Sequence, residues 1–138
     1  MIKRAAFTGA EAAFVASRRV AHLGTVYPDG TPHVVPISTV LDMDRLVFAT
    51  DRDSRKVRNI KDDPHVCISF DEYTEDWSAL QQVIVFGQAY FVQSGPEFAR
   101  DRQLLYDTYT QYPSESPIEE ISSVLIEVRA ERVFGSGF

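Results

Sequence analysis

The chain has 138 residues, of which 44% are hydrophobic and 25% are charged. This composition is typical of a folded globular protein, and it argues against intrinsic disorder and collagen-like structure. Fourteen Lys and Arg residues against 20 Asp and Glu residues give a net charge of −6. That balance argues against nucleic acid or an anionic membrane as a partner of the whole surface. We expect a single domain over residues 1–138.

Cysteine usage and hydropathy indicate the compartment. The only cysteine, Cys67, excludes an internal disulfide and a paired-cysteine zinc site. No stretch approaches the roughly 18 consecutive apolar residues that span a bilayer, and no targeting segment is evident. We therefore expect a cytoplasmic protein. Cys67 alternates with apolar neighbours and is interpreted as a core residue.

The hydrophobic periodicity predicts six strands and three helices, with turns at 29–30 and 42–44. In chain order these are a helix over Thr8–Val20, strands over His22–Tyr27, His33–Leu41 and Leu46–Thr50, a helix over Ser54–Asp63, strands over Val66–Phe70 and Gln82–Val92, a helix from Gly95 with the apolar stripe Phe98, Leu105, Tyr109 and Tyr112, a polar loop over Pro113–Glu120 and a strand over Val124–Phe134. Thr8 and Glu11 form a capping box at the first helix. The pattern predicts a mainly β protein, a small closed antiparallel barrel with helices at its edges.

The start of the second helix is the most informative segment. Ser54 is a good N-cap, which places Arg55 and Lys56 in the first turn. The helix dipole disfavours cations there by about 0.3–1 kcal/mol each. A bound anion resolves the conflict, because free N–H groups, a hydroxyl, a guanidinium and an ammonium together bind phosphate. The alternative is that both cations pair with Asp51, Asp53 or Asp62 at the surface.

Two residues interrupt apolar strands. Pro36 cannot donate to a β-ladder, which indicates an edge strand, a bulge or contact with a ligand. Gly87 indicates a bulge or a close approach of other atoms. In both cases the structural explanation is at least as good as the functional one.

Other side chains with reactive groups form no recognisable site. His22, His33 and His65 lack the spacing of metal ligands, so no metal is expected. No Ser-His-Asp arrangement is present, and no tyrosine is singled out as a proton donor, so the catalytic residues stay unassigned. Trp77, in an acidic loop, covers a ligand or packs against the barrel end or another subunit.

Several segments resemble the flavin-binding split-barrel family of the pyridoxamine 5′-phosphate oxidase type. The first is Phe48-Ala-Thr followed by Ser54-Arg-Lys, a helix and Asp63-Pro-x-Val-x-Ile-Ser-Phe. Leu23-Gly-Thr-Val with Asp29-Gly-Thr-Pro-His, and Gln82-Val-Ile-Val-Phe-Gly-Gln-Ala, are similar to the family's other segments. The resemblance covers about residues 19–92 in the same order and spacing.

The resemblance implies a six-stranded split barrel and a homodimer with FMN bound at the subunit interface. Ser54, Arg55 and Lys56 would hold the phosphate, with Ala49 and Thr50 beside them. Val34, Val35, Pro36, Ile37 and Thr39 would follow the ring and ribityl chain through backbone groups. Gln82 would contact the flavin of the partner subunit. The function implied is that of a flavin-dependent oxidoreductase acting on a small molecule.

Some positions depart from the oxidases. Val34 stands where they carry arginine, and Thr39 where they carry lysine. The C-terminal segment with which they hold pyridoxal phosphate is also missing, so we do not expect pyridoxamine phosphate oxidase activity. Residues 71–80 are similar to a short subgroup predicted to use the deazaflavin F420, and so are Lys56 and Arg58-Asn59. The intact Ser-Arg-Lys triplet favours FMN. F420-dependent reduction of an unsaturated or quinone-like compound, and a non-catalytic module that holds flavin, haem or a tetrapyrrole, stay open as alternatives.

Overall fold

The chain folds into one curled antiparallel sheet with helices around it. A computed structural model describes residues 6–138, so residues 1–5 of the predicted domain lie outside the described part. The elements are α1 (Gly9–Ser17), β1 (Ala21–Val26), β2 (Pro32–Ile37), β3 (Val40–Asp42), β4 (Arg45–Asp51), α2 (Arg55–Asp62), β5 (His65–Glu72), a 3₁₀ turn (Trp77–Ala79), β6 (Gln81–Val92), α3 (Gly95–Thr108), α4 (Tyr112–Glu115) and β7 (Ser123–Ser136). The predicted mainly β, antiparallel architecture is confirmed.

The sheet has seven strands, so the prediction of six was wrong. Its order is β2-β1-β5-β6-β7-β4-β3, which puts the consecutive strands β2 and β3 at opposite edges. The single strand predicted over His33–Leu41 is therefore broken at Ser38-Thr39. The Ser38 hydroxyl donates to the Arg19 carbonyl over 3.0 Å, and the Tyr109 hydroxyl donates to the Thr39 carbonyl over 2.6 Å. These bonds satisfy polar groups at the break, where the chain passes from one sheet edge to the other.

The sheet is a curled half-barrel rather than the predicted closed barrel. Its two edge strands are joined by the short Ser38-Thr39 connection and not by a ladder. Curling is helped by a bulge between Phe86 and Gly87, where β7 carries an extra residue. A Cβ on Gly87 would lie 2.2 Å from the Arg129 carbonyl oxygen. Both structural features predicted for Gly87, a bulge and a close approach, are therefore present.

The predicted start of α1 is confirmed, but its predicted end is wrong. The capping box of α1 is confirmed: the Thr8 N–H donates to Glu11 and the Glu11 N–H donates to Thr8. The helix ends at Ser17 rather than at the predicted Val20, because the chain turns extended at Arg18 to enter β1. The loop predicted over Pro113–Glu120 contains most of α4. None of the helices within residues 6–138 is long and apolar enough to cross a membrane.

The core lies inside the curl, and a second apolar cluster packs α3 onto β4 and β7. Val66, Ile68 and Phe70 of β5 point into the main core. Cys67 alternates with them and is half-buried on the opposite face, so its interpretation as a core residue was wrong. Burial raises the pKa of the Cys67 thiol, which keeps it protonated at neutral pH.

A buried charge cluster holds α3 to the sheet. The Arg45 guanidinium, almost fully buried, pairs with Asp42, Asp101 and Glu127. Burial and the nearby Asp101 carboxyl raise the pKa of Glu127. Removing Arg45 would leave the buried Asp101 and its neighbour Glu127 with only the more exposed Arg100 as cationic partner, and breaking a buried ion pair costs about 3–5 kcal/mol.

Candidate functional site

The start of α2 has free hydrogen-bond donors. Ser54 occupies the N-cap position, but its side chain makes no capping bond; instead the Thr50 hydroxyl donates to the Ser54 oxygen over 3.2 Å. The N–H groups of the first turn have no acceptor within the helix. The fully buried Asn59 donates to the Thr25 hydroxyl over 3.1 Å and so fixes α2 against β1. The helix start thus presents an array of backbone donors.

Two cations stand at this helix start. Arg55 lies with its guanidinium carbon 4.7 Å from the centre of the Tyr27 ring. Lys56 is half-buried, and this burial lowers the pKa of its ammonium, partly opposed by the Asp51 carboxylate. The ion pairs found within residues 6–138 include neither side chain. The alternative of pairing with Asp51, Asp53 or Asp62 is therefore not what the described structure adopts.

These residues fit a phosphate group. First-turn donors, an uncapped serine and two cations without carboxylate partners in the described chain are chemically complementary to a dianion. The first turn of α2 also holds no acidic residue that would repel it. We call Thr50, Ser54, Arg55 and Lys56 the cradle.

A cavity of about 260 Å³ opens next to the cradle. It is lined by Val20, Pro36, Ile37, Ser38, Ala49, Lys56 and Tyr112. Four sequence-predicted site residues, from two strands and a helix, thus meet around one space. Val20, Ser38 and Tyr112 were missed: Tyr112 was placed in the apolar stripe of a predicted helix, and no local signal distinguishes the other two.

The predicted residues of β2 have different environments. The strand is a sheet edge, which accounts for Pro36 structurally. Val34 and Pro36 point outward, and the Val34 side chain is 64% exposed. Val35 and Ile37 pack toward the core. Thr39 is buried, and its carbonyl already accepts from Tyr109, so it does not line the cavity.

Gln82 does not line the cradle cavity of its own chain. It pairs with Asp71 and Ser136 at one end of β6, whereas Val92, ten residues on, pairs with Leu125 beside the cradle end of β4. Gln82 instead lines a second cavity, of about 340 Å³, together with Tyr73 and Leu80.

The remaining candidates stay outside both cavities. Within residues 6–138 no group of His, Cys, Asp and Glu side chains is arranged to hold a metal ion. His65 is exposed and bonds to Asp63 over 2.8 Å. The Trp77 side chain is 72% exposed and donates its indole N–H to the Tyr73 hydroxyl over 3.2 Å.

The chain matches the model of one known protein family over almost all of its length. The model of the family described as pyridoxamine 5′-phosphate oxidase matches residues 7–137, nearly the whole chain. The chain belongs to the pyridoxamine 5′-phosphate oxidase family. The resemblance seen over residues 19–92 thus extends through the helices and the last strand of this family member. No curated protein matches the chain with significant similarity.

Solved structures with the same fold belong to proteins that are named for different ligands. This family member is similar to an F420 reductase, with 28% identity, a TM-score of 0.71 and coverage of 88% of this chain and 94% of the other. A FAD-binding protein from Mesorhizobium loti has 20% identity, a TM-score of 0.76 and coverage of 98% and 97%. The haem storage protein HutZ from Vibrio cholerae has 19% identity, a TM-score of 0.79 and coverage of 91% and 92%. The last two likenesses concern the fold alone.

Proposed function

We propose that this protein is a flavin-dependent oxidoreductase that binds FMN, with the cradle holding the FMN phosphate. The observation that carries the proposal is the start of α2, where Arg55 and Lys56 lie beside free backbone donors and form no ion pair in the described chain. When bound, FMN supplies the two-electron chemistry, and the protein supplies binding, orientation and exclusion of water. No side chain is assigned as acid or base.

The cavity beside the cradle suits the flat part of a flavin. Its walls are the backbone of Pro36–Ser38 at a sheet edge, the small side chain of Ala49 and the ring of Tyr112. An edge strand has backbone groups without ladder partners, which hydrogen-bond the polar rim of a ring. Val34–Ile37 would follow the ring, as the family resemblance implies.

F420 is the second candidate cofactor. It is favoured by the 28% identity to the F420 reductase. It is also favoured by the similarity of residues 71–80 to the short subgroup predicted to use F420. F420 also carries a phosphate, so the same cradle would serve, and the reaction would be the reduction of an unsaturated or quinone-like compound. FMN is preferred because the Ser54-Arg55-Lys56 triplet is intact. A haem-binding or flavin-binding module without turnover is the third candidate.

We also propose a homodimer in which each site takes Gln82 from the partner. Two rows of residues, each paired from strand to strand, cross the outer face of the sheet. The first row is Val34, Gly24, Cys67, Phe86 and Arg132. The second row is Pro36, His22, Ser69, Ile84 and Phe134. Ile84, Phe86 and Phe134 are only half-buried in the single chain.

This outer face joins the two parts of the site. It runs from the β2 edge beside the cradle cavity to the end of β6 that holds Gln82. A two-fold axis through the face would bury its apolar side chains and bring Gln82 of one copy toward β2 of the other. Gln82 lines a different cavity from the cradle cavity of its own chain, and this observation motivates the proposal of a shared site.

The direct test is to purify the protein and identify what binds. A yellow protein whose chromophore has the spectrum and mass of FMN supports the proposal. A colourless protein that binds added F420 and ignores FMN selects the second candidate, and a Soret band selects haem. Either result contradicts FMN.

The cradle is tested by replacing Arg55 and Lys56 together with alanine. Hydrogen bonds to charged groups contribute about 1.5–3 kcal/mol each, so we expect FMN affinity, measured by fluorescence titration, to fall at least about 100-fold. Arg58→Ala is the matched control, because Arg58 is exposed on the same helix. Equal FMN affinity in the double variant and in Arg58→Ala would show that the phosphate binds elsewhere.

A further inference from the structure

A larger cavity adjoins the cradle cavity at Ser38. It has a volume of about 460 Å³ and lies between Arg19–Val20 and the segment 108–111 that follows α3. Val20 and Ser38 line both cavities, so the two spaces share a wall. Among the described residues that line the larger cavity, which include threonine, glutamine and tyrosine, Arg19 is the one with a charged side chain.

Arg19 is exposed, and two contacts of its side chain and one of its backbone orient it along the edge of this cavity. Its Nη1 donates to the Thr108 carbonyl over 2.8 Å, and its guanidinium carbon lies 5.1 Å from the centre of the Tyr109 ring. Its own carbonyl accepts from the Ser38 hydroxyl over 3.0 Å. A guanidinium has five N–H donors in a fixed fork, more than these contacts use. The side chain is thus oriented before any ligand binds.

Arg19 also differs from its neighbour in the chain. Arg18 pairs with Glu72 over 3.3 Å and lies over the Phe14 ring. The ion pairs within residues 6–138 do not include Arg19. An exposed cation at the edge of an open cavity, with no ion pair in the described chain, is complementary to an anionic ligand group.

We propose that Arg19 binds a carboxylate of the substrate, and that the substrate is a flat carboxylate-bearing compound. This inference rests on the proposed function, since it assumes that the cradle cavity holds the cofactor. A planar guanidinium fork matches a carboxylate through two parallel hydrogen bonds. The neutral polar neighbours Thr110 and Gln111 suit a single negative charge, whereas a phosphate dianion calls for the second cation that the cradle provides.

The flat shape follows from the neighbouring walls. The Tyr112 ring lines the cradle cavity and packs edge-on against Tyr109, with ring centres 6.0 Å apart. Transfer between a substrate and a ring cofactor needs reacting atoms about 3–3.5 Å apart. The reacting part of the proposed substrate would therefore stack flat on the ring cofactor held in the cradle cavity, with its carboxylate extending past Ser38 to Arg19.

The test compares 2-naphthoate with its neutral isostere 2-naphthamide. Each is titrated by calorimetry into the full-length protein, with and without FMN. We expect the wild type to bind naphthoate at least about tenfold more tightly than naphthamide, since one charged hydrogen bond contributes about that much. Arg19→Gln should abolish the preference, and Arg19→Lys should retain part of it. Arg18→Gln is the matched control and should keep the full preference.

The outcomes separate this inference from the proposed function. Loss of the naphthoate preference in Arg19→Gln with unchanged FMN affinity supports the assignment. Equal affinity for the two probes in the wild type, an unchanged preference in Arg19→Gln, or a parallel loss of FMN affinity in that variant overturns it. Failure of the wild type to bind FMN contradicts the proposed cofactor instead, while titration of the protein without FMN still measures the role of Arg19.

Discussion

Lys56 and Arg55 are adjacent cations with different environments. The Arg55 guanidinium stacks on the Tyr27 ring, whereas the Lys56 ammonium is partly removed from water, and this desolvation lowers its pKa below the ordinary 10.5. Desolvation disfavours the charged form. Without an anion, the charge on Lys56 therefore reduces the stability of the folded state.

The lowered pKa of Lys56 predicts a pH dependence of FMN binding. A bound phosphate favours the charged ammonium, so affinity is highest below the pKa of Lys56 in the free protein and falls as pH rises through it, beginning below 10.5. Titrations of FMN from neutral to alkaline pH measure this decline. Lys56→Arg should flatten it, because arginine stays charged. Lys61→Arg is the control, since Lys61 is exposed at the far end of α2. A decline of equal size in Lys56→Arg would contradict the role of Lys56.

At the scale of elements, the bulge in β6 and β7 shapes the sheet. These two strands are the longest, and their register shifts between Phe86 and Gly87. A bulge increases local twist and bends the strand that carries it. The backbone of Gly87 approaches the Arg129 carbonyl so closely that any side chain would displace it. The close packing of β6 against β7 at the bulge therefore requires glycine at this position.

Replacing Gly87 with alanine should therefore destabilise the fold. The added Cβ would lie 2.2 Å from the Arg129 oxygen, and such overpacking costs about 1–3 kcal/mol. Urea denaturation measures the loss. Gly9→Ala is the comparison, because a Cβ at Gly9 meets nothing within 4 Å and no such loss of stability is expected there. A Gly87→Ala protein as stable as wild type would show that the strands separate there at little cost.

At the scale of the whole molecule, the outer face of the sheet and the position of Gln82 predict a shared site. Ile84→Glu would place a charge in the proposed interface, so we expect a monomer in sedimentation and loss of FMN binding with the fold intact by circular dichroism. Ile121→Glu is the control, because Ile121 is 86% exposed elsewhere on the chain. A dimeric Ile84→Glu protein would place any interface on another face.

Mixing two damaged chains tests the shared site directly. One protein carries alanine at Arg55 and Lys56, and the other carries Gln82→Ala. When the two proteins are mixed, each mixed dimer should regain one intact FMN site. The intact cradle of one chain would then meet the intact Gln82 of the other. Titration of the mixture against each parent protein measures the recovery, and no recovery would mean that each site belongs to one chain.

Local features of the sequence determined the capping box, helix α2, the bulge at Gly87 and the candidate cradle. Each depends on residues close in the chain, through capping, the helix dipole and strand alternation. Tertiary structure decided the break at Ser38-Thr39, the face on which Cys67 lies and the meeting of Arg19, Ser38 and Tyr112. These depend on which distant strands pair, and a strand pattern alone does not specify its partner or its sheet edge.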